Sequence, residues 1–213
     1  SLTSREKKFI FEPLDIKFDK NLNPIERNED YLLLKEIFTD VCVMRTSTTF
    51  AGDIPENEND LHFLIYSFLE HETEFQEEYG LQKVFHTELN CYIGVAGLIR
   101  CNSKVLNVSN VVVEVAIFLK SKYIGGVFGF TVDGMLSKKG EKNQNIMIAS
   151  IWEGNKSSIS LTKKYGGIFK GNAIKKYKNK EINVNLYIKL PSTLKDFSED
   201  IDIASLLFLN KKS

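Results

Sequence analysis

Apolar and polar positions alternate or recur along most of the chain, and the rhythm changes several times. Lys8–Leu14 reads as a first strand with Pro13 near its end. Asp30–Thr39 places Tyr31, Leu34 and Phe38 at helical spacing behind acidic residues. Residues 46–60 carry Gly52, Pro55 and the acids Asp53, Glu56, Glu58 and Asp60, the pattern of a solvated loop, and Leu61–Leu69 is a second helix. Gln82–Glu88 and Cys91–Ile99 are strands joined by a tight turn at Leu89-Asn90, followed by a polar turn over Asn102–Asn110. Val111–Lys120 is a β-branched strand interrupted by Glu114, and Gly125–Ser137 is a helix despite Gly134. Asn145–Trp152 is a strand, and Ser157–Tyr165 is a helix stopped by Gly166-Gly167. Glu181–Leu190 alternates Ile182, Val184, Leu186 and Ile188 to one side and closes the sheet. Asp196–Asn210 has Phe197, Ile201, Ala204 and Leu207 on one helical face, with Ser198 as N-cap.

A strand with helices, then a meander, then β-α-β-α-β describes an α+β fold with one mixed sheet. At 213 residues the chain is expected to form a single domain over 1–213, with 191–213 as a C-terminal helical extension. Twenty-eight basic residues balance 28 acidic ones, so nothing in the overall charge favours a polyanion, and no nucleic-acid partner is expected. The longest apolar run, Val111–Leu119, contains Glu114 and falls short of the roughly 20 residues that span a bilayer, so no membrane partner is expected either. Cys42, Cys91 and Cys101 form no metal-ligand spacing and no even disulfide set. With no apolar leader core in Ser1–Lys8, a reduced, cytoplasmic setting is the expectation. His62, His71 and His86 are scattered; structural roles are expected and no metal.

Two segments carry candidate chemistry. Lys122-Tyr123-Ile124-Gly125-Gly126-Val127-Phe128-Gly129 lies between a strand end and a helix start. Glycines there let backbone N–H groups approach a phosphate at the positive end of a helix, although a purely structural turn uses the same residues. No Gly-Lys-Ser/Thr follows, so this is not a P-loop. Asn155 and Ser158 open the next helix, where they serve as caps or as ligand-facing polar groups.

These segments, taken in order, resemble the GNAT acyl-CoA N-acetyltransferases, in particular the RimJ/RimL-like branch. Glu114-Val115-Ala116-Ile117-Phe118-Leu119 is similar to that branch's fourth strand, and Tyr123-Ile124-Gly125 to the tyrosine-tryptophan-glycine turn after it. Asn155-x-x-Ser158-x-x-Leu161-x-x-Lys164-x-Gly166 is similar to N-x-x-S-x-x-L-x-x-K-x-G-F. Phe9–Leu14 and Tyr92–Leu98 resemble the opening and third strands, so the resemblance runs from about residue 8 to 190. The chain departs from the pattern at Val127, where a second loop glycine is usual, at Gly167 in place of phenylalanine, and at Thr162, where many relatives carry tyrosine.

The resemblance implies a mostly antiparallel mixed sheet flanked by helices, with its fourth and fifth strands splayed. It implies acetyl-CoA as co-substrate, with an amine acceptor: a protein N-terminus or a small amine. Backbone groups near Phe118 and Leu119 would meet the pantetheine, and Lys122, Gly125, Gly126, Val127, Phe128 and Gly129 the pyrophosphate, with Asn155 and Ser158 contacting the arm. Glu114 is the expected base, since an apolar surrounding makes a carboxylate a better proton acceptor; a structural ion pair is the competing role. Ser158 or Thr162 would return a proton to the thiolate. A non-catalytic CoA-binding or regulatory member of the fold is the alternative; the apolar face of the C-terminal helix is expected to pack on the domain or on a second copy, which leaves a homodimer open.

Overall fold

The computed structural model describes residues 1–69, 78–101 and 108–197. The strands are β1 (Phe9–Pro13), β2 (Gly80–His86), β3 (Cys91–Arg100), β4 (Val112–Leu119), β5 (Ile146–Trp152), β6 (Ile168–Tyr177) and β7 (Lys180–Lys189). They form one seven-stranded sheet in the order β1-β2-β3-β4-β5-β7-β6. All neighbours are antiparallel except β4 and β5, which run parallel. The expected α+β mixed sheet is therefore present.

On one face lie α1 (Glu29–Phe38), α2 (Val41–Met44) and α3 (Glu58–Phe68). Tyr31, Leu34, Ile37 and Phe38 are fully buried, as their helical spacing requires, and they pack with Ile65, Val95, Ala116 and Phe118. Asn28 and Asn57 cap α1 and α3 by accepting from Tyr31 N and Asp60 N. Phe118 touches Phe38 and Phe68 edge-on, at 5.1 and 5.4 Å between centroids, which ties the middle of the sheet to this layer.

The other face carries α4 (Val127–Lys142) and α5 (Lys156–Lys164). Val132 and Leu136 of α4 meet Val113, Leu119 and Met147. Gly134 inside α4 is a packing requirement, because a Cβ there would come within 2.7 Å of the Tyr165 hydroxyl.

Two elements differ from expectation. Residues 46–60 do not form one open loop: the short α2 precedes them, and α3 starts at Glu58, where Asn57 caps it. Strand β6 was not legible, because an exposed edge strand with three lysines, a glycine bulge and an asparagine shows no apolar alternation. The helix expected over 196–210 lies outside the described residues beyond 197, and Ser192–Phe197 form a 3₁₀ segment. The polar turn expected at 102–110 is likewise outside them for residues 102–107.

Replacing Phe118 by alanine should cost about 3–5 kcal/mol, read as a lower urea midpoint at unchanged slope.

Candidate active site

The parallel pairing of β4 with β5 is brief. Only Val112–Glu114 match Ile146–Ile148; beyond Glu114, β4 stays with β3 while β5 continues beside β7. Backbone direction along β4 follows from three hydrogen bonds. Cys101 N donates to Val112 O, and Lys120 N to Ile93 O, so the even-numbered residues of β4 face β3. Ile146 N donates to Val111 O, so the odd-numbered residues face β5. Past the last pair, Val115, Ile117 and Leu119 therefore turn their N–H and C=O groups into the gap. Leu119 stands where expected. Phe118 does not: its backbone faces β3, opposite Val95, and its ring is in the core. Val115 and Ile117 take its place, a consequence of register that the sequence alone does not reveal.

Beside the gap, the start of α4 is unlike the other helix starts. The side chains of Asn28, Asp40, Asn57 and Asn155 cap α1, α2, α3 and α5, whereas α4 begins at Gly126 with no side-chain cap. Its first N–H groups, on Val127–Gly129, lack helical acceptors and lie at the positive end of the dipole. Gly125 has φ +82°, and a Cβ at Gly125 or Gly126 would meet nothing within 4 Å, so the turn presents open backbone. Val127 is 55% exposed and contributes its N–H without filling the core. The Phe128 ring packs against Phe9, His86 and Tyr123, which leaves only its backbone for a ligand. Gly129 sits against Leu119, joining the helix start to the gap. Lys122 is exposed, its ammonium 5.0 Å from the Tyr123 ring centroid, and hydrogen bonding to Tyr123 raises its pKa.

Asn155 accepts from Ser158 N at 3.3 Å, so it is an N-cap. Ser158 and Thr162 are half-buried, one turn apart on α5. The helix ends in a Schellman motif, with Gly167 N bonded to Thr162 O and Gly166 N to Lys163 O. A Cβ at Gly167 would lie 2.6 Å from Thr162 Cγ2, so glycine there goes with threonine at 162. Under α5, the Tyr165 hydroxyl donates to Phe130 O at 3.4 Å. Asp133 faces the same region; burial raises its pKa to about 6, against the pull of Lys189.

Glu114 lies across the gap's root, half-buried between Ile99 and Ile148, on the face of the sheet that carries α1 and α3. Its carboxylate makes no hydrogen bond or ion pair with any described residue. Burial, followed by the Glu114 charge, pushes the neighbouring Cys101 thiol up. The same face is closed by a contact that sequence reasoning missed. Asp53 pairs with Lys180 at 2.7 Å, Glu56 with Lys178, and Tyr177 donates to Asp60 at 3.3 Å. Phe50 lies 4.5 Å from the Tyr177 ring centroid, and Lys175 donates to Thr48 Oγ1 at 3.3 Å. Glu58 pairs with Arg27. The acidic segment is thus pinned to the β6–β7 hairpin instead of being loosely solvated. Its hairpin partners lie 117 to 127 positions away in sequence, and only the acids themselves were legible.

The histidines within the described residues are structural. His62 Nε2 is 2.9 Å from the Tyr31 hydroxyl, and burial lowers its pKa; His86 Nδ1 accepts from Leu89 N. His71 lies outside the described residues. Among the described residues no cluster could hold a metal ion, and no helix is long and apolar enough to cross a membrane.

This arrangement is the fold of the GNAT acetyltransferases. A spermidine N-acetyltransferase from Vibrio cholerae, solved with CoA and spermine, superposes at TM-score 0.61 and 14% identity, over 87% of this chain and 97% of that one. RimL, a ribosomal alpha-N-protein acetyltransferase solved with coenzyme A, gives 0.59 at 10% identity, over 86% and 94%. A ribosomal-protein-alanine N-acetyltransferase from Brucella melitensis gives 0.54 at 19% identity, over 83% and 99%. No family model and no curated protein sequence matches the chain. At these identities the likeness establishes the fold.

Asp133 links this site to pH. Its folded-state pKa stands above the ordinary 3.8, so between about pH 4 and 6 the native state binds more protons than the unfolded chain. Stability from this group is complete below that window and falls as pH rises through it. Asp133→Asn should therefore unfold at higher temperature than the parent above pH 6, by as much as about 3 kcal/mol, with the gap closing below pH 4.

Proposed function

We propose that the protein is an N-acetyltransferase that moves the acetyl group of acetyl-CoA to a primary amine. The observation that carries this reading is the unpaired β4 edge of Val115, Ile117 and Leu119 running up to the uncapped start of α4. A pantetheine arm is a short chain of amides that pairs with such an edge as an added strand would, and a pyrophosphate suits helix N–H groups left without a cap. The CoA found with the spermidine N-acetyltransferase and with RimL supports the same use of the fold here.

The chain's residues then divide the reaction. Glu114 accepts a proton from the incoming ammonium, directly or through water, freeing the lone pair. The amine nitrogen attacks the thioester carbonyl, a C–N bond forms, and the developing oxyanion is met by N–H groups of the β4 edge. The oxyanion collapses, the C–S bond breaks, and the second proton of the attached nitrogen passes to the thiolate through the Ser158 hydroxyl or through solvent. Ser158 is the better placed hydroxyl, one turn nearer the start of α5, whereas Thr162 has its methyl turned against the Gly167 position. A thiol's pKa of about 8–9 means that the leaving group needs little assistance, so tyrosine at 162 is dispensable. A second reading, CoA binding without transfer, rests on that missing tyrosine, and a panel of amines separates the two.

Glu114→Gln should lower kcat for acetyl transfer by roughly 10²–10³-fold near neutral pH, with acetyl-CoA affinity unchanged, in an assay of thiol release. An unaltered kcat and pH profile would remove Glu114 from the mechanism. Binding of CoA without transfer to any amine would favour the second reading.

A further inference from the structure

The β6–β7 hairpin carries four lysines between 175 and 180, and they are not used alike. Lys176 pairs with Glu181, Lys178 with Glu56 and Lys180 with Asp53. Lys175 has no carboxylate partner among the described residues; it donates to the neutral hydroxyl of Thr48. It is half-buried. Strand register fixes the face it occupies. Glu114 is paired with Ile148, Ile148 with Ile188, and steps of two along β7 from Ile188 reach Ile182, the partner of Lys175. Lys175 and Glu114 therefore share one face of the sheet, beneath the strap held by Phe50 and Tyr177. The Cys101 thiol feels both charges, Glu114 raising its pKa and Lys175 opposing.

A half-buried ammonium whose only partner among the described residues is a hydroxyl is a ready partner for an anion. Asp53, Glu56 and Glu58 of the strap are already in ion pairs, and Asp60 accepts from the Tyr177 hydroxyl. We propose that Lys175 is a specificity-determining residue that selects acceptors bearing a carboxylate along with the reacting amine. The inference rests on the transferase reading, with the acceptor on the Glu114 side of the gap. An amino acid and an acidic peptide present the same carboxylate chemistry.

The test measures product binding, which needs no turnover. With CoA present, calorimetry compares N-acetyl ω-amino acids of graded length with their carboxamides, together with an N-acetylated acidic peptide and N-acetylspermidine. At the best-fitting length the carboxylate should bind about tenfold more tightly than its carboxamide. Lys175→Met should erase that difference, Lys175→Arg should keep most of it, and CoA affinity should stay the same in both. A preference that survives in Lys175→Met, equal binding of each acid and its amide, absence of binding by all of them, or tightest binding of N-acetylspermidine would each overturn the proposal. Tightest binding by the peptide over every small acid identifies the source of the carboxylate as protein and supports it. Turnover is a separate readout: a charge preference without acetyl transfer to any amine sinks the transferase reading and leaves the preference intact.

Discussion

The early end of the β4–β5 ladder governs the rest of this molecule. A parallel pair that stops after Glu114 leaves N–H and C=O groups of Val115, Ile117 and Leu119 that no described strand satisfies, a state ordinarily costly inside a fold. The surrounding structure holds this gap open instead of letting the strands close. On one side, β4 is paired with β3 as far as Leu119 and anchored by the Phe118 ring between Phe38 and Phe68. On the other, β5 is drawn away by six pairs with β7. Neither strand can move toward the other without surrendering a complete ladder.

The two rims of the gap differ in what they offer a ligand. Toward α4 it is backbone: an uncapped helix start and the odd-numbered amides of β4, both indifferent to net charge. Toward α1 and α3 it is side chains: Glu114 and Lys175, neither of which has an ion-pair partner among the described residues, and a strap with Asp53 and Glu56 engaged by the hairpin. In the transferase reading, a chain with zero formal charge meets a polyphosphate co-substrate through dipoles rather than net charge. The neutral total also conceals local pairing, since many of the acids and lysines spend their charge on one another.

Much of this was legible in the chain, for identifiable reasons. The spacing of Tyr31, Leu34 and Phe38 announced a helix that the structure keeps, the meander of β2 and β3 was visible as two strands about a tight turn, and Glu114 was visible as the one charge in an apolar strand. The glycine turn and Asn155 stood out because Gly and Asn take conformations and cap bonds that other residues do not. What stayed hidden depends on partners. Strand β6 owes its existence to β7 and shows no apolar rhythm of its own. The ion pair of Asp53 with Lys180 joins residues 127 positions apart, beyond any local pattern. The choice of Ile117 over Phe118 as a gap-facing residue is set by pairing with β3, and a shift of one residue would reverse it.

The most direct test of the gap is amide hydrogen exchange resolved to single residues, with and without acetyl-CoA. The account predicts that the amides of Val115, Ile117 and Leu119 and those of Val127–Gly129 slow on binding. The amides of Ala116 and Phe118, already committed to β3, should change little. Acetyl-CoA bound at saturation with no added protection at Val115, Ile117 and Leu119 would contradict it.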